Sequence, residues 1–245
     1  MSNSWFQFKQ FTIHQDKCAM KVTTDGCLFG AWVAKQVGSK TLEVRNALDI
    51  GTGTGLLSLM LAQKNDCHID AIEMEQEAFE QASENAATSP WKERVNVMQG
   101  DVNTFEFKQA YDLIICNPPF YEKELKGDDL KKNTAHHDAG LQLNSLLTLI
   151  RKNLAKGGHF FLLLPFKRHE ELKKLLTENL LQLSRVCFVR QTVSHDFFRV
   201  LVSGKISEDH TKPATTTTAE IAINAVNNQY TPEFISLLHE YYLHL

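Results

Sequence analysis

The sequence predicts an α/β fold with a seven-stranded, mostly parallel sheet and helices on both of its faces. Strand-like and helix-like segments alternate along most of the chain, which is typical of parallel strands joined by crossover helices. The run 111–116 (YDLIIC) is continuously apolar after Asp112, as expected for a strand that is covered on both faces. The β-rich runs 183–193 and 197–206 are close neighbours in sequence and predict a terminal hairpin, which supplies one antiparallel strand.

The elements are predicted in chain order from hydrophobic periodicity and from helix start and stop signals. Residues 5–13 alternate aromatic and polar side chains and predict a short N-terminal β-like arm, and Thr24 or Asp25 then caps a helix through 28–37. The core strands are predicted at 47–50, 68–73, 94–98, 111–116 and 159–164, the last preceded by a turn at Gly157-Gly158. The helices are predicted at 56–63, 75–87, 141–154 and 166–180.

We expect one domain over residues 1–245, with the arm and first helix in 1–40, the core in 41–206 and a tail in 207–245. Residues 212–218 (KPATTTT) are interpreted as a loop before that tail.

Composition narrows the class of protein. Hydrophobic residues make up 43% of the chain, no apolar run approaches the ~20 residues of a membrane span, and the N-terminus has no signal-peptide pattern. The five cysteines form no C-x-x-C pair and the ten histidines show no metal-ligand spacing, so we expect reduced thiols in a cytoplasmic protein without metal, membrane or obligate protein partner. The net charge of −3 provides little general affinity for nucleic acid, so local basic patches would have to hold an RNA partner.

A glycine-rich turn follows the first core strand, at the sheet edge where open α/β sheets bind ligands. Asp49 precedes glycines at three alternate positions, Gly51, Gly53 and Gly55, which is more glycine than a tight turn needs. The spacing G-x-G-x-G differs from the dinucleotide fingerprint G-x-G-x-x-G, and a carboxylate beside the turn is unfavourable for a phosphate. It suits a cationic ligand with an α-amino group, and S-adenosylmethionine carries that group.

Two more carboxylates stand after the next strands of the series. Glu73, at the tip of the second strand, can accept hydrogen bonds from both ribose hydroxyls of such a cofactor. Asp101, after the third strand, can accept one from its adenine amine. Alone, each also suits a solvated strand end or a simple Gly-Asp turn, and their positions in series after Asp49 favour the cofactor site.

The most specific motif is Asn117-Pro118-Pro119-Phe120, at the tip of the fourth strand. An exocyclic adenine amine is a poor nucleophile because its lone pair is delocalised into the ring, and acceptors on its N–H bonds draw the nitrogen toward pyramidal geometry. The Asn117 side-chain oxygen and the Pro118 carbonyl can be these acceptors, and the two prolines stiffen the loop. Phe120 or Tyr121 can stack on the base, worth ~1–3 kcal/mol. A plain Pro-Pro loop is the alternative, which the position at a strand tip disfavours.

Together these residues resemble the Rossmann-like S-adenosylmethionine-dependent methyltransferases, in the branch that modifies planar sp² amines. Within that branch, residues 11–32 (FTIHQDKCAMKVTTDGCLFGAW) and NPPFY resemble the bacterial valine-tRNA adenine-N6 methyltransferases, which modify the adenosine 3′ of the anticodon. The resemblance covers roughly residues 5–205. Tyr121 departs from it, because another aromatic such as Phe is more usual there, so either ring remains a candidate for stacking.

The resemblance implies transfer of a methyl group to the N6 amine of an adenosine in a tRNA anticodon loop. It implies that residues 117–120 hold the target adenine, and that the segment 21–25 closes over the methionine end of the cofactor. The implied contacts to S-adenosylmethionine are Lys21, Thr24, Asp49, Gly51, Gly53, Gly55, Glu73, Asp101 and Val102.

Other activities stay open on the same motif. A ribosomal guanine amine, a DNA adenine or a protein glutamine would also suit it, although the glutamine enzymes carry Tyr after the second proline, where this chain has Phe120. A non-catalytic RNA- or cofactor-binding module is a further alternative, which the intact Asn117 and glycines disfavour. Candidate RNA contacts are Lys123, Lys126, Lys131, Lys132, Lys167, Arg168, Lys173, Lys174, Arg185, Arg190 and Arg199.

Overall fold

The structure, a computed structural model, describes residues 3–38, 42–118, 142–207 and 215–245. The strands of this part of the chain are β1 (Trp5–Gln7), β2 (Thr12–His14), β3 (Asn46–Ile50), β4 (His68–Glu73), β5 (Val95–Gln99), β6 (Tyr111–Cys116), β7 (Leu154–Pro165), β8 (Leu181–Thr192), β9 (Phe197–Ile206) and β10 (Thr217–Asn224). The helices are α1 (Thr24–Gly38), α2 (Leu56–Ala62), α3 (Gln76–Thr88), α4 (Leu143–Asn153), α5 (His169–Glu178) and α6 (Pro232–Leu238), and a 3₁₀ turn at Phe166–Arg168 precedes α5.

The main sheet has the strand order β10-β8-β9-β7-β6-β3-β4-β5. Strand β9 runs antiparallel to both β7 and β8, and the other pairings in this sheet are parallel. The predicted fold class, a mostly parallel sheet with one antiparallel strand, is therefore confirmed. The predicted number of strands is wrong, because the described residues form eight strands rather than seven.

The eighth strand comes from the segment that we expected to be a tail. Thr217 and Thr218, interpreted above as loop, begin β10 and pair with Arg185 and Val186 of β8. β-branched threonine favours strands, and pairing covers a sheet edge that β8 would otherwise expose. The helix that follows packs on α1, and the Tyr241 hydroxyl beyond it donates to the Met60 carbonyl at 3.0 Å.

Two local predictions also need correction. The cap of α1 is Thr23 rather than Thr24 or Asp25, since the Thr23 hydroxyl accepts the Gly26 N–H at 3.2 Å and the other two lie in the first turn. The predicted turn at 157–158 lies inside β7, beside a register shift in its pairing with β6. Gly157 takes a φ of +80° there, which lets the strand continue through the irregularity.

Helices cover both faces of the sheet, as predicted. One hydrophobic cluster fills the face under α1, α2 and α6, and a second lies under α4 and α5. Strand β6 supplies both in alternation, with Leu113 and Ile115 on the first face and Ile114 and Cys116 on the second. No helix in the described ranges is long and apolar enough to span a membrane.

Candidate active site

The glycine turn after β3 is built from left-handed backbone. Gly51, Gly53 and Gly55 have φ values of +66°, +57° and +81°, a region that side chains with a Cβ rarely adopt. A Cβ on Gly51 or Gly53 would meet no described atom within 4 Å, whereas one on Gly55 would contact Ala82 of α3 at 3.7 Å. The turn therefore leaves open space above its first two glycines and packs closely at the third.

Asp49 lies fully buried beneath this turn. Its Oδ2 accepts hydrogen bonds from the Thr52 hydroxyl at 2.6 Å and the Ser58 hydroxyl at 2.7 Å, while Oδ1 has no partner among the described residues. Burial raises the pKa of the Asp49 carboxyl to about 6, against the lowering effect of the two hydroxyls. Sequence reasoning missed Thr52 and Ser58, although both lie within nine residues of Asp49.

Glu73 links the tip of β4 to the glycine turn. Its Oε2 accepts the Gly53 N–H at 2.8 Å, and its Oε1 accepts the N–H groups of Met74 and Glu75 at 2.8 and 3.1 Å. Each carboxylate oxygen can accept about two hydrogen bonds. The three backbone N–H groups therefore leave one acceptor position, on Oε2, for a ribose hydroxyl.

Asp101 shapes its own turn after β5. Its Oδ1 accepts the backbone N–H and the side-chain amide of Asn103, at 2.9 and 2.8 Å. The next residue, Val102, is half-buried and packs against the second hydrophobic cluster. The carboxylate is thus held at the sheet edge by local hydrogen bonds.

The segment before α1 lies beside the sheet edge. The Lys21 ammonium donates to the carbonyl of buried Gln15, whose side-chain oxygen accepts the Val22 N–H at 2.7 Å. Thr24 is half-buried in the first turn of α1, between two residues, Thr23 and Asp25, that line a cleft.

That cleft, which we call the acceptor cleft, has a volume of about 190 Å³ and lies where β6, β7 and β9 meet α1. Asn117 is half-buried and Pro118 is buried, directly after β6. Pro119, Phe120 and Tyr121 lie outside the described residues. The lining residues are Met20, Thr23, Asp25, Asn117, Pro118, Leu163, Leu164, Pro165 and Arg199.

An ion pair closes one side of the acceptor cleft. The Arg199 Nε donates to the Asp25 Oδ2 at 2.7 Å, which joins the start of β9 to the first turn of α1. A β-bulge in β9 orients the Arg199 side chain toward Asp25. Val189 pairs with Arg199 but Arg190 pairs with Phe197, so Phe198 of β9 has no partner on β8. Sequence reasoning treated Asp25 as a helix cap and Arg199 as an RNA contact, and did not pair them.

The site fits S-adenosylmethionine in two respects. Asp49 keeps a buried carboxylate oxygen without a donor, which an ammonium group can supply, and the backbone at Gly51 and Gly53 is open to close approach of a ligand. No group of three His, Cys, Asp or Glu side chains that could hold a metal occurs in the part of the chain that the structure describes.

Residues 34–191 match the family model described as "Methyltransferase small domain", and this match spans most of the chain. The chain belongs to this methyltransferase family. The methyltransferase is also 38% identical, over the whole of both chains, to a Cytophaga hutchinsonii protein named tRNA1(Val) (adenine(37)-N6)-methyltransferase. A Parabacteroides distasonis protein of the same name is 38% identical over 99% of each chain. The family predicted from the glycine turn and NPPF is thus confirmed.

Solved structures share the fold of the methyltransferase. A predicted O-methyltransferase from Agrobacterium tumefaciens superposes with a TM-score of 0.62 at 17% identity, covering 88% of this chain and 96% of the other. Magnesium protoporphyrin IX methyltransferase from Synechocystis, solved with bound S-adenosylmethionine, superposes with a TM-score of 0.54 at 17% identity, covering 75% and 80%. The predicted cofactor, S-adenosylmethionine, is thus the one bound in a solved structure of the same fold.

Proposed function

We propose that this methyltransferase methylates the exocyclic N6 amine of an adenosine in the anticodon loop of valine tRNA. The observation that carries the proposal is the end-to-end match to relatives named for that reaction. The acceptor cleft supports it independently, because Asn117 and Pro118 line it at the tip of β6, and β6 pairs with β3, the strand that leads into the glycine turn.

We propose the following roles for the cofactor side of the site. Asp49 accepts the α-ammonium group, Glu73 a ribose hydroxyl and Asp101 the adenine amine, while the open glycines admit the ligand against the backbone. The supporting facts are the unpartnered Asp49 Oδ1 and the spare acceptor capacity of Glu73. Further contacts are proposed from Lys21, Thr24, Gly51, Gly53, Gly55 and Val102.

On the acceptor side, the side-chain oxygen of Asn117 and the carbonyl of Pro118 accept the two N–H bonds of the target amine. These two acceptors orient the nitrogen lone pair toward the methyl group that is transferred. Positioned acceptors of this kind stabilise the positive charge that develops on the nitrogen during the transfer. S-adenosylmethionine supplies an electrophilic methyl group when bound. No strong base is needed in the site, since the methylated nitrogen is acidic and releases its proton to water. The proposed stacking ring is Phe120 or Tyr121, with Pro119 stiffening the loop.

Methyl transfer to unmodified RNA tests this proposal. A valine tRNA transcript with adenosine at position 37, and a control transcript with guanosine there, are incubated with methyl-labelled S-adenosylmethionine, and the digested nucleosides are identified by mass spectrometry. We expect N6-methyladenosine from the first transcript and no label in the second. Equal labelling of both, or comparable labelling of duplex DNA, ribosomal RNA guanine or a glutamine-bearing protein offered in parallel, would overturn the assignment.

We further propose that residues 1–245 work as one domain in the cytoplasm, without an obligate protein partner. Strand β10 joins the main sheet and α6 packs on α1, which supports a single unit. All five cysteines are buried and free, as suits a reducing compartment.

A further inference from the structure

A cluster of aromatic rings lies beside the acceptor cleft and has no part in the mechanism above. Phe166, Phe188 and Phe197 pack together, with centroid distances of 5.5 Å (166–188), 5.3 Å (166–197) and 5.1 Å (188–197). Phe166 keeps 37% of its surface exposed, and the other two are half-buried. Together with Arg190 we call these residues the ring patch.

Arg190 adds a planar guanidinium group to the ring patch, whose three rings are inclined to one another by 38° to 80°. Its guanidinium carbon lies 3.8 Å from the centroid of the Phe197 ring, so the guanidinium covers that ring. Hydrogen bonds to the His195 carbonyl at 3.0 Å and to Glu220 at 3.4 Å hold it there. A guanidinium plane held in this way can stack on a nucleobase as an aromatic ring does.

The ring patch continues the acceptor cleft along the sheet edge. Phe166 directly follows Pro165, Phe197 lies two residues before Arg199, and Pro165 and Arg199 are both cleft-lining residues that pair across β7 and β9. The bulge in β9 gives the side chains of Arg199 and Phe197 different neighbours. Arg199 bonds to Asp25 on α1, whereas Phe197 packs on Phe166 and Phe188. Because Pro165 and Arg199 join the cleft to the ring patch, an RNA chain whose target base occupies the cleft can reach the ring patch with a neighbouring nucleotide.

We propose that the ring patch stacks a nucleobase adjacent to the target adenosine in the RNA substrate, an inference that rests on the proposed function. Proteins recognise single-stranded loops by stacking splayed bases on aromatic rings and guanidinium planes. Stacking tolerates any base, because every base has a π-face. It also supplies affinity that a chain of net charge −3 does not obtain from general attraction to phosphates.

Phe166→Leu tests the ring patch because it removes one ring and keeps an apolar side chain. Against a synthetic anticodon stem-loop of valine tRNA, we expect about a tenfold rise in KM, and a larger change in KM than in kcat. Phe166→Trp, which retains a ring, should restore KM to within about twofold of the original value. Ile235→Ala, at a side chain of the same 37% exposure on α6, is the matched control and should leave KM unchanged. Thermal unfolding of each variant excludes misfolding as the cause.

A double-mutant cycle identifies the stacked base. Two further stem-loops each carry an abasic nucleotide, one on the 5′ side and one on the 3′ side of the target. One of them should raise KM for the original protein but not for Phe166→Leu, since the partner ring is already absent. An unchanged KM in Phe166→Leu, or abasic penalties equal in both proteins, would overturn the inference. If the original protein methylates neither the stem-loop nor the full tRNA transcript, the proposed function has failed first. Quenching of Trp fluorescence by the RNA, greater in Phe166→Trp than in the original protein with its three tryptophans, still tests the ring patch alone.

Discussion

The buried Asp49 carboxylate lowers the stability of the apo protein, although the proposed cofactor contact requires it. Burial raises its pKa from 3.8 to about 6, so the native state binds a proton more readily than the unfolded chain between these values. The free energy of unfolding therefore falls as pH rises from about 4 to 6, and the cost of the buried charge is fully present above pH 6. Two pKa units correspond to roughly 2–3 kcal/mol. The apo protein at neutral pH carries this cost, and an ammonium ligand would offset it.

We predict that Asp49→Asn raises the melting temperature of the apo protein at pH 7.5 by several degrees and abolishes S-adenosylmethionine binding. In the unmodified protein, the Kd for the cofactor should rise about fourfold between pH 7.5 and 5.5, because the carboxylate becomes protonated. Calorimetric titration at both pH values measures this. A cofactor affinity in Asp49→Asn equal to that of the original chain contradicts the assigned role.

Gly53 allows cofactor contact to be separated from backbone strain. Gly53→Ala forces a Cβ into a φ of +57°, which costs about 1–2 kcal/mol, yet the new methyl group meets no described atom within 4 Å. Gly157→Ala is a matched control, with a φ of +80° and equally open surroundings in β7. We predict similar losses of stability in both variants and a Kd for S-adenosylmethionine raised at least tenfold, by about 1.4 kcal/mol, in Gly53→Ala only. Equal affinities in the two variants would show that the glycine serves the turn alone.

At the scale of the elements, Gly204 explains how β9 fits between β7 and β8. A Cβ at this position would lie 2.3 Å from the Phe160 ring and 2.5 Å from the Gln182 carbonyl oxygen, so the strand needs glycine for close packing. We predict that Gly204→Ala destabilises the protein by about 3 kcal/mol or more, since a backbone carbonyl cannot move aside. Urea unfolding measures the change, and an unaltered midpoint would mean that the strands separate without cost.

The strands and helices that could be predicted are those with a clear local sequence pattern. Strands β4, β6 and β9 have the predicted bounds, because short runs of strand-forming residues end where turn residues begin. Strand β10 was missed because its first half is exposed and threonine-rich, so its state is decided by pairing with β8 rather than by its own pattern.

The same distinction applies to the site. Asp49, its glycines and Glu73 were predicted because short motifs at strand ends locate them. The Asp25–Arg199 ion pair joins residues 174 positions apart and depends on the bulge in β9. No local sequence pattern predicts such a contact. The ring patch likewise assembles only when β7, β8 and β9 come together.

At the scale of the whole molecule, the net charge of −3 limits binding to nucleic acid in general. Extruding a base costs a few kcal/mol from a duplex and less from a loop. We predict methylation of the tRNA anticodon loop and none of an adenine-containing DNA duplex at matched salt, measured as incorporated methyl label. A comparable rate on the duplex would indicate a DNA adenine methyltransferase instead.

Mass spectrometry of position 37 in valine tRNA tests the central claim most directly. The tRNA is isolated from cells that lack the protein, from the same cells supplied with the original chain, and from cells supplied with Asn117→Ala. We predict no N6-methyladenosine in the first, full modification in the second and strongly reduced modification in the third. The reason is that Asn117→Ala should lower the rate of methyl transfer by the purified protein about 10²–10³-fold, with its S-adenosylmethionine affinity within a few-fold of the original. Persistence of the modified base in cells without the protein, or full restoration by Asn117→Ala, would contradict the account.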